Sequence, residues 1–299
     1  MFIHSFDIYR PRSLAEALEF LAKNSPDVKP LAGGTELLLL IRDRKIPTPR
    51  FLLDLSPLRR ELSYVKVENG RVRIGALTRV YDLSTSILHR DVRFAGFVDV
   101  WRKFATLAIR FSATIGGNIA TATQYSDYTP LLLVHDARVK LASVDGEREL
   151  SLEEFLLDNR ATALKPHELI TEITFDYPPD KTSSAFVKFD RRSLLIAGVV
   201  TCAVYATFVD GVMRDVRVAY DMVKDKRIPA RIREIEDFLK GKVYTEELVE
   251  KAAEDVLPRV MKRITDWWTT AEYRLEMSKV ALKDGLRVVK ERVEKGCSA

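Results

Sequence analysis

The first 177 residues alternate between helical and extended patterns of apolar positions. Ser13 and Glu16 have the spacing of a capping box, and apolar residues then recur every three or four positions, which predicts a helix that ends near residues 24–26. Asn69-Gly70 and Asp145-Gly146 each separate two apolar-rich segments, a pattern typical of β-hairpins. The other elements predicted here are strands at residues 51–55 and 169–177, and helices at 80–88, at 128–136 and from Ser151.

A proline pair divides the chain into two parts. Pro178-Pro179 and the polar residues after it end the last strand pattern, so we place a domain boundary there. The second part predicts strands near residues 185–189, 199–209 and 212–220, a helix from Pro229 to Leu239, a helix capped by Thr245, and a long helix from about residue 270 to 293. This order predicts an α+β domain over residues 1–177, followed by a domain over residues 178–299 with a small sheet and helices.

Two glycine pairs, Gly33-Gly34 and Gly116-Gly117, carry the clearest chemical signal in the sequence. We call residues 30–37 the first glycine segment and residues 114–118 the second. Glycine permits a positive φ and close approach by another group, and successive exposed N–H groups form an anion site. One such pair is more often a tight turn than a ligand site. Two pairs, each followed by a polar side chain, favour a cradle for a cofactor that carries a pyrophosphate.

Motifs and charge exclude several other classes of protein. Neither segment matches G-x-G-x-x-G and no G-x-x-x-x-G-K-[ST] occurs, so a Rossmann dinucleotide site and a P-loop are disfavoured. The net charge of +5 is modest and no basic block or nucleic-acid-binding motif occurs, so nucleic acid is not an expected ligand. No apolar run reaches the roughly 18 residues of a transmembrane helix, so we expect no membrane span.

The composition also bears on metal binding, compartment and source. Cys202 and Cys297 are the only cysteines and cannot form a four-cysteine metal or cluster site within one chain, so we expect no metal in this chain. The low cysteine content and the absence of a signal peptide predict a cytoplasmic protein. Gln124 is the single glutamine, while charged residues make up 30% of the chain. Scarce amides with abundant charge favour a thermophilic source.

Five segments match one known family in the same order along the chain. They are residues 29–38 and 114–120, which contain the glycine pairs, and residues 74–78, 185–192 and 271–274. In these segments the chain resembles the FAD-binding medium subunits of molybdenum hydroxylases, which include the flavoproteins of carbon monoxide dehydrogenase, xanthine dehydrogenase and aldehyde oxidoreductase. The resemblance implies an FAD-binding domain of the vanillyl-alcohol-oxidase type with subdomains of about 1–57 and 58–177. A C-terminal domain with a three-stranded sheet and helices is implied after it.

The resemblance also implies which residues bind FAD. The first glycine segment holds the pyrophosphate through its N–H groups and the Thr35 hydroxyl, and the second segment closes the other side. Phe104 matches an aromatic residue near the cofactor, and Asp127 matches an acid that accepts hydrogen bonds from it. Ile170 matches an apolar residue beside the flavin, and Lys188 a lysine whose charge favours reduced flavin. The complete implied set is Pro30, Leu31, Ala32, Gly33, Gly34, Thr35, Glu36, Leu37, Phe104, Thr114, Ile115, Gly116, Gly117, Asn118, Asp127, Ile170 and Lys188.

The chain departs from the family pattern at several positions. Residues 123–126 replace the Ser-Pro-Ala pattern that is frequent in the family, and this leaves the electron acceptor open. Leu195 stands where relatives often carry an acid. No cysteine-rich insertion is present, so we expect no additional four-iron cluster. Gly34 and Thr35 stand where related oxidases attach FAD to a histidine or cysteine, so FAD should bind non-covalently.

Simpler interpretations of some of these residues stay open. Asp127 alone could cap a helix, Lys188 alone could be a solvated strand lysine, and Phe104 alone could be a core residue. The pair Trp267-Trp268 could be an interface patch or plain packing, because aromatic residues are enriched in both places.

The function implied by the resemblance is electron transfer within a larger enzyme. This chain would carry FAD, take electrons from the [2Fe–2S] clusters of a small subunit and pass them to an external acceptor. A large subunit with a molybdopterin cofactor would oxidise the substrate, an aldehyde, a purine or CO. A dimer of heterotrimers is implied, and no catalytic side chain is needed at the flavin. Two alternatives stay open: a self-contained flavin oxidase of the same superfamily, and a structural subunit that binds no flavin.

Overall fold

The computed structural model describes residues 5–191, 197–222 and 227–296. Leu195, Cys297 and the last residue of the 185–192 segment lie outside these ranges. Within them, no helix has the length and apolar character needed to cross a membrane. The same ranges contain no group of three or more His, Cys, Asp or Glu side chains that could hold a metal ion.

The chain begins with a small parallel sheet. Its strands are β1 (Asp7–Tyr9), β2 (Val28–Leu31) and β3 (Phe51–Asp54), in the order β1-β3-β2. Helix α1 (Leu14–Asn24) begins where Ser13 Oγ accepts the Glu16 N–H at 3.2 Å, so the predicted helix is confirmed. The Glu16 carboxylate, however, accepts from the Arg12 N–H at 2.8 Å, so the predicted capping box is only half formed.

A five-stranded antiparallel sheet forms the middle of the molecule. Its strands are β4 (Val65–Glu68), β5 (Arg71–Gly75), β6 (Arg138–Ser143), β7 (Gly146–Ser151) and β10 (Leu169–Asp176), in the order β4-β5-β10-β6-β7. Between them β8 (Leu156–Asp158) and β9 (Ala161–Thr162) form a separate pair. Asn69 and Gly70 turn the first hairpin with φ of 51° and 72°, as a type I′ turn requires. Both predicted hairpins and the predicted strand at 169–177 are confirmed.

Short helices connect these strands. They are α2 (Leu37–Arg42), α3 (Arg59–Leu62), α4 (Val80–Leu83), α5 (Ala95–Lys103), α6 (Leu107–Ser112), α7 (Ile115–Ala120), α8 (Tyr128–Val134) and α9 (Leu152–Phe155). The single helix predicted at 80–88 is wrong, because α4 ends at Leu83 and a 3₁₀ turn follows at Ile87–His89. Ser84 and Ser86 explain the break, since each hydroxyl donates at 2.7 Å to a carbonyl three residues earlier and competes with the helix.

The second part of the chain is an antiparallel sheet covered by helices. The strands are β11 (Thr182–Phe189), β12 (Val200–Val209), β13 (Val212–Tyr220) and β14 (Ala230–Arg231), paired in that order. The helices are α10 (Arg233–Leu239), α11 (Glu246–Lys251), α12 (Leu257–Val260) and α13 (Ala271–Gly296), with π-helical residues at Ala252–Val256. The helix predicted from Pro229 starts only at Arg233, because Ala230 pairs with Tyr220 as a short fourth strand. The helix capped by Thr245 and the long last helix are confirmed.

The parts before and after Pro178-Pro179 share one hydrophobic core. This core joins Phe97 and Leu131 of the first part to Phe186 and Tyr205 of the second. At its edge, α5 and α13 are joined by an ion pair in which Arg292 donates to both carboxylate oxygens of Asp99 at 2.7 Å. A site that includes residues from both parts is therefore held in a defined geometry.

Candidate functional site

Among the residues that the structure describes, a run of backbone N–H groups in the first glycine segment has no partner. Strand β2 ends at Leu31, the chain turns through Gly33 and Gly34, and α2 begins at Leu37. Gly34 has a φ of 71°, a conformation that favours glycine. In the described part of the chain, no acceptor is bonded to the N–H groups of residues 32–37, which are all only partly buried. Successive unpaired donors in a turn form a site suited to an anion.

The second glycine segment is the start of a helix rather than a loop. Thr114 caps α7, and its Oγ1 accepts the Gly117 N–H at 3.1 Å. The N–H groups of residues 115, 116 and 118 also have protein acceptors, each 2.9 Å away. The two segments are therefore not equivalent. In the described structure, the first segment has N–H donors that are free to bind a ligand. In the second, the N–H groups of residues 115–118 are already bonded to protein acceptors.

The glycines of the two segments are needed for different reasons. A Cβ on Gly33 would lie 2.1 Å from the carbonyl oxygen of Ser112, and one on Gly116 would lie 2.8 Å from the Ala76 backbone oxygen. These glycines let parts of the protein pack together, and Gly33 brings the first segment against the residues just before the second. A Cβ on Gly117 would meet only a Thr114 side-chain atom, at 3.0 Å. Gly117 therefore faces space that a cofactor can enter.

Asp127 and Lys188 form a buried ion pair. Lys188 Nζ, on β11, lies 2.8 Å from Asp127 Oδ2, next to the start of α8, and the two residues are 8% and 5% exposed. The Asp127 side chain makes no capping hydrogen bond to α8, and Lys188 is not solvated, so the simpler interpretations of both residues are wrong. Burial raises the pKa of the Asp127 carboxyl, and the neighbouring Lys188 charge opposes that rise.

Phe104 and Ile170 both belong to the main hydrophobic core. Phe104 is buried, and its ring centroid lies 5.4 Å from that of Tyr128. Its carbonyl oxygen accepts from Arg110 Nε at 2.6 Å. Ile170 is half-buried against the same core, at a β-bulge near the start of β10. A core position suffices to explain both residues, so their contact with FAD stays a prediction.

Two polar residues outside the implied FAD-binding set contact the glycine segments in the structure. Ser126 Oγ donates to Asn118 Oδ1 at 2.6 Å, which ties residues 123–126 to the second segment. Arg160 Nη1 lies 2.7 Å from Glu36 Oε1, so an ion pair ties Arg160 to a side chain of the first segment. Arg160 and Glu36 are 124 residues apart, and no local pattern in the sequence indicates their contact.

The tryptophan pair lies next to residues 123–126. The Trp268 ring centroid is 6.3 Å from that of Tyr125 and 4.9 Å from that of Trp267. Asp266 holds the turn, because its Oδ1 accepts the backbone N–H of Trp268 at 2.8 Å. Trp268 is partly buried, whereas Trp267 is 83% exposed. The packing interpretation therefore fits Trp268, and Trp267 is left on the surface.

Two protein-family models match this chain, one on each side of the proline pair. The model described as the FAD binding domain in molybdopterin dehydrogenase matches residues 4–177. The model described as the CO dehydrogenase flavoprotein C-terminal domain matches residues 184–289. Together they account for most of the chain.

Curated relatives and solved structures agree with these matches. The chain is 32% identical to the glyceraldehyde dehydrogenase medium chain of Sulfolobus acidocaldarius, over 94% of this chain and 96% of the relative. It is 28% identical to the carbon monoxide dehydrogenase medium chain of Afipia carboxidovorans, over 97% and 98% of the two chains. A chain of carbon monoxide dehydrogenase from Hydrogenophaga pseudoflava has the same fold, with a TM-score of 0.90 at 28% identity over 98% of this chain and 99% of that chain. The predicted α+β fold with an FAD-binding domain is thereby confirmed.

Proposed function

Because the chain belongs to the family of FAD-binding medium subunits of molybdenum hydroxylases, we propose that it is the electron-transfer subunit of such an oxidoreductase. In this role it receives electrons from the [2Fe–2S] clusters of a small partner subunit and delivers them to an external acceptor. A large partner subunit holds the molybdopterin cofactor and selects the substrate.

The observation that carries this proposal is the run of unpaired N–H groups at residues 32–37. These donors are arranged to bind the pyrophosphate oxygens of FAD, with the Thr35 hydroxyl beside them. Arg160 pairs with the carboxylate of Glu36 in this segment, so the segment's own acidic side chain is neutralised. Gly117 supports the other side, because the absence of a side chain leaves room for close approach. The first segment contains no histidine or cysteine, which supports non-covalent binding.

The buried ion pair supports a second contact with the cofactor. Lys188 donates to Asp127 Oδ2, and no described residue donates to Asp127 Oδ1. Oδ1 is therefore available to accept a hydrogen bond from a hydroxyl or ring N–H of FAD. When bound, FAD supplies the redox chemistry, while the protein sets its position and potential. The positive charge of Lys188 stabilises negative charge on a neighbouring group. Because reduction adds negative charge, Lys188 would favour the reduced form of a cofactor bound beside it.

The substrate belongs to the partner subunit in this proposal. One relative is named for glyceraldehyde and another for carbon monoxide, at similar identity to this chain. An aldehyde, a purine or CO is the proposed substrate class, and the electron acceptor lies beyond this chain. Residues 123–126, which Ser126 ties to the second glycine segment, are the part of this site proposed to face the acceptor.

The assembly follows from the same proposal. Each complex contains one large, one medium and one small subunit, and two such heterotrimers form a dimer in the cytoplasm. Within this chain we propose an FAD-binding domain over residues 1–177, with subdomains of about 1–57 and 58–177, and a C-terminal domain over residues 178–299. A thermophilic source is proposed from the composition alone.

Purification of the tagged chain with its partners tests the subunit role. The complex should contain molybdenum and iron and should reduce an artificial acceptor when given an aldehyde, a purine or CO. The FAD-loaded chain alone should oxidise none of these. Substrate oxidation by the isolated chain would instead favour a self-contained flavin oxidase. A chain and complex that both lack flavin would favour a structural subunit.

A further inference from the structure

Three polar side chains lie in a row across the C-terminal sheet. Lys188 on β11 is paired with Thr201 on β12. Asp221 follows β13, and its N–H donates to the Thr201 carbonyl oxygen at 3.1 Å. The neighbouring pair Cys202 and Tyr220 fixes this register, so Asp221 lies opposite Thr201. Residues opposite one another in adjacent strands share a face of the sheet, so the three side chains are neighbours.

All three residues are buried, and the two charged ones, Lys188 and Asp221, each pair with a side chain of opposite charge. Lys188, Thr201 and Asp221 are 8%, 2% and 4% exposed. Lys188 is paired with Asp127 at 2.8 Å, and Asp221 with Arg263 at 3.0 Å. The Thr201 hydroxyl lies between the two pairs and, in the described part of the chain, has no hydrogen-bond partner. Buried polar groups in native proteins are nearly always bonded, so this hydroxyl calls for a partner that the described residues do not supply.

Gly198 packs directly against the Thr201 side chain and lies beside that of Lys188. A Cβ at Gly198 would lie 2.7 Å from Thr201 Cγ2 and 3.4 Å from Lys188 Cγ. An added Cβ would therefore collide with the Thr201 methyl group and touch Lys188 at an ordinary contact distance. The glycine, the unpartnered hydroxyl and the Lys188 side chain thus meet at one place, on the side of the sheet that carries the Asp127 contact.

We propose that the Thr201 hydroxyl is a further FAD-binding group, which makes its missing hydrogen bond to the bound cofactor beside Lys188. This inference rests on the proposed function, because it assigns Lys188 to the FAD site. It concerns a residue that neither glycine segment includes, on a strand whose other positions are mostly apolar.

Two substitutions of Thr201 separate its hydroxyl from its shape. Thr201→Val keeps the size of the side chain and removes the hydroxyl, whereas Thr201→Ser keeps the hydroxyl. Thr207→Val is the matched control, because Thr207 is buried on the same strand but its hydroxyl is already bonded to that of Thr182 at 2.8 Å. The full chain is freed of FAD, its melting temperature is measured, and FAD is titrated back to obtain Kd.

Thr201→Val should weaken FAD binding by about tenfold, the effect of one hydrogen bond, without lowering the melting temperature of the FAD-free chain. Thr201→Ser should bind FAD within about twofold of wild type. Thr207→Val should lower the melting temperature and leave Kd unchanged. The inference is overturned if Thr201→Val binds FAD with the wild-type Kd, or if it lowers the melting temperature as Thr207→Val does. Either result leaves the proposed function intact. A wild-type chain that binds no FAD overturns both.

Discussion

Lys188 and Asp127 are 61 residues apart in the sequence, yet Lys188 Nζ lies 2.8 Å from Asp127 Oδ2 in the interior of the protein. The pair joins the C-terminal sheet to the helix that follows the second glycine segment. Both residues were predicted to contact FAD separately. Their direct contact means that the proposed cofactor site and the packing of the two parts of the chain share one buried electrostatic interaction.

Removal of Lys188 should destabilise the fold. Lys188→Met should lower the free energy of unfolding by about 3–5 kcal/mol at pH 7, because it leaves the Asp127 charge buried without a partner. The loss should shrink as the pH falls toward the raised pKa of Asp127, since a protonated carboxyl carries no charge. The double variant Asp127→Asn/Lys188→Met should recover most of the loss. Urea unfolding of the full chain at several pH values measures the stability of the wild type and of both variants. Wild-type stability in Lys188→Met would contradict the buried ion pair.

Adjacent glycines of the second segment should respond differently to the same substitution. Gly117→Ala should keep wild-type stability within about 1 kcal/mol, because its Cβ meets only Thr114 Oγ1. It should weaken FAD binding by about tenfold or more, because the methyl group blocks close approach. Gly116→Ala is the control and should lose about 1–3 kcal/mol, since its Cβ would lie 2.8 Å from Ala76. Unchanged FAD affinity in Gly117→Ala would show that the cofactor does not approach this surface.

His135 should make the protein sensitive to acid. It is fully enclosed by aromatic rings, including those of Phe97 and Phe175, and burial lowers the pKa of its imidazole to about 3. The unfolded chain binds this proton near pH 6.5, so stability is intact above that pH and falls as the pH drops from 6.5 toward 3. Between pH 6.5 and pH 5 the loss from this residue should be about 2 kcal/mol. His135→Phe should remove this part of the pH dependence in urea unfolding, and an unchanged slope would refute the assignment.

The contact between Asp99 and Arg292 should stabilise the junction of the two parts. Arg292 also donates to the Ser184 carbonyl oxygen at 2.7 Å, so Arg292→Met should cost about 1.5–3 kcal/mol through lost charge-assisted hydrogen bonds. Arg287→Met on the same helix is the control. Arg287 is half exposed and pairs with Asp284 and Glu291 of α13, so its loss should cost less than about 1 kcal/mol. Equal stability of the two variants in thermal unfolding would contradict this difference.

Local signals in the sequence predicted most of the elements. Caps and turns depend on residues within a few positions of each other, which is why Ser13, Thr245 and Asn69-Gly70 marked elements correctly. The start of the helix predicted at Pro229 failed because Ala230 pairs with a strand that ends ten residues earlier. The sequence pattern at that position gives no sign of this pairing.

The sequence singled out individual segments of the candidate site, but it did not predict which residues contact one another there. Gly33 was singled out as a place of close approach, and the group that approaches it in the structure is the Ser112 carbonyl. The second glycine segment was expected to expose successive N–H groups, but those of residues 115–118 have protein acceptors at the start of α7. Arg160 was missed because its partner, Glu36, is remote in the sequence. Such contacts depend on the tertiary fold and have no local pattern.

The central claim is that this chain holds FAD non-covalently on the N–H groups of the first glycine segment. The most direct test is an absorption spectrum of the purified full chain before and after FAD addition and gel filtration. We predict the visible bands of a bound flavin, stoichiometric after gel filtration, and FAD released into solution on denaturation. A chain that stays colourless after FAD addition, both alone and in its native complex, would contradict the claim.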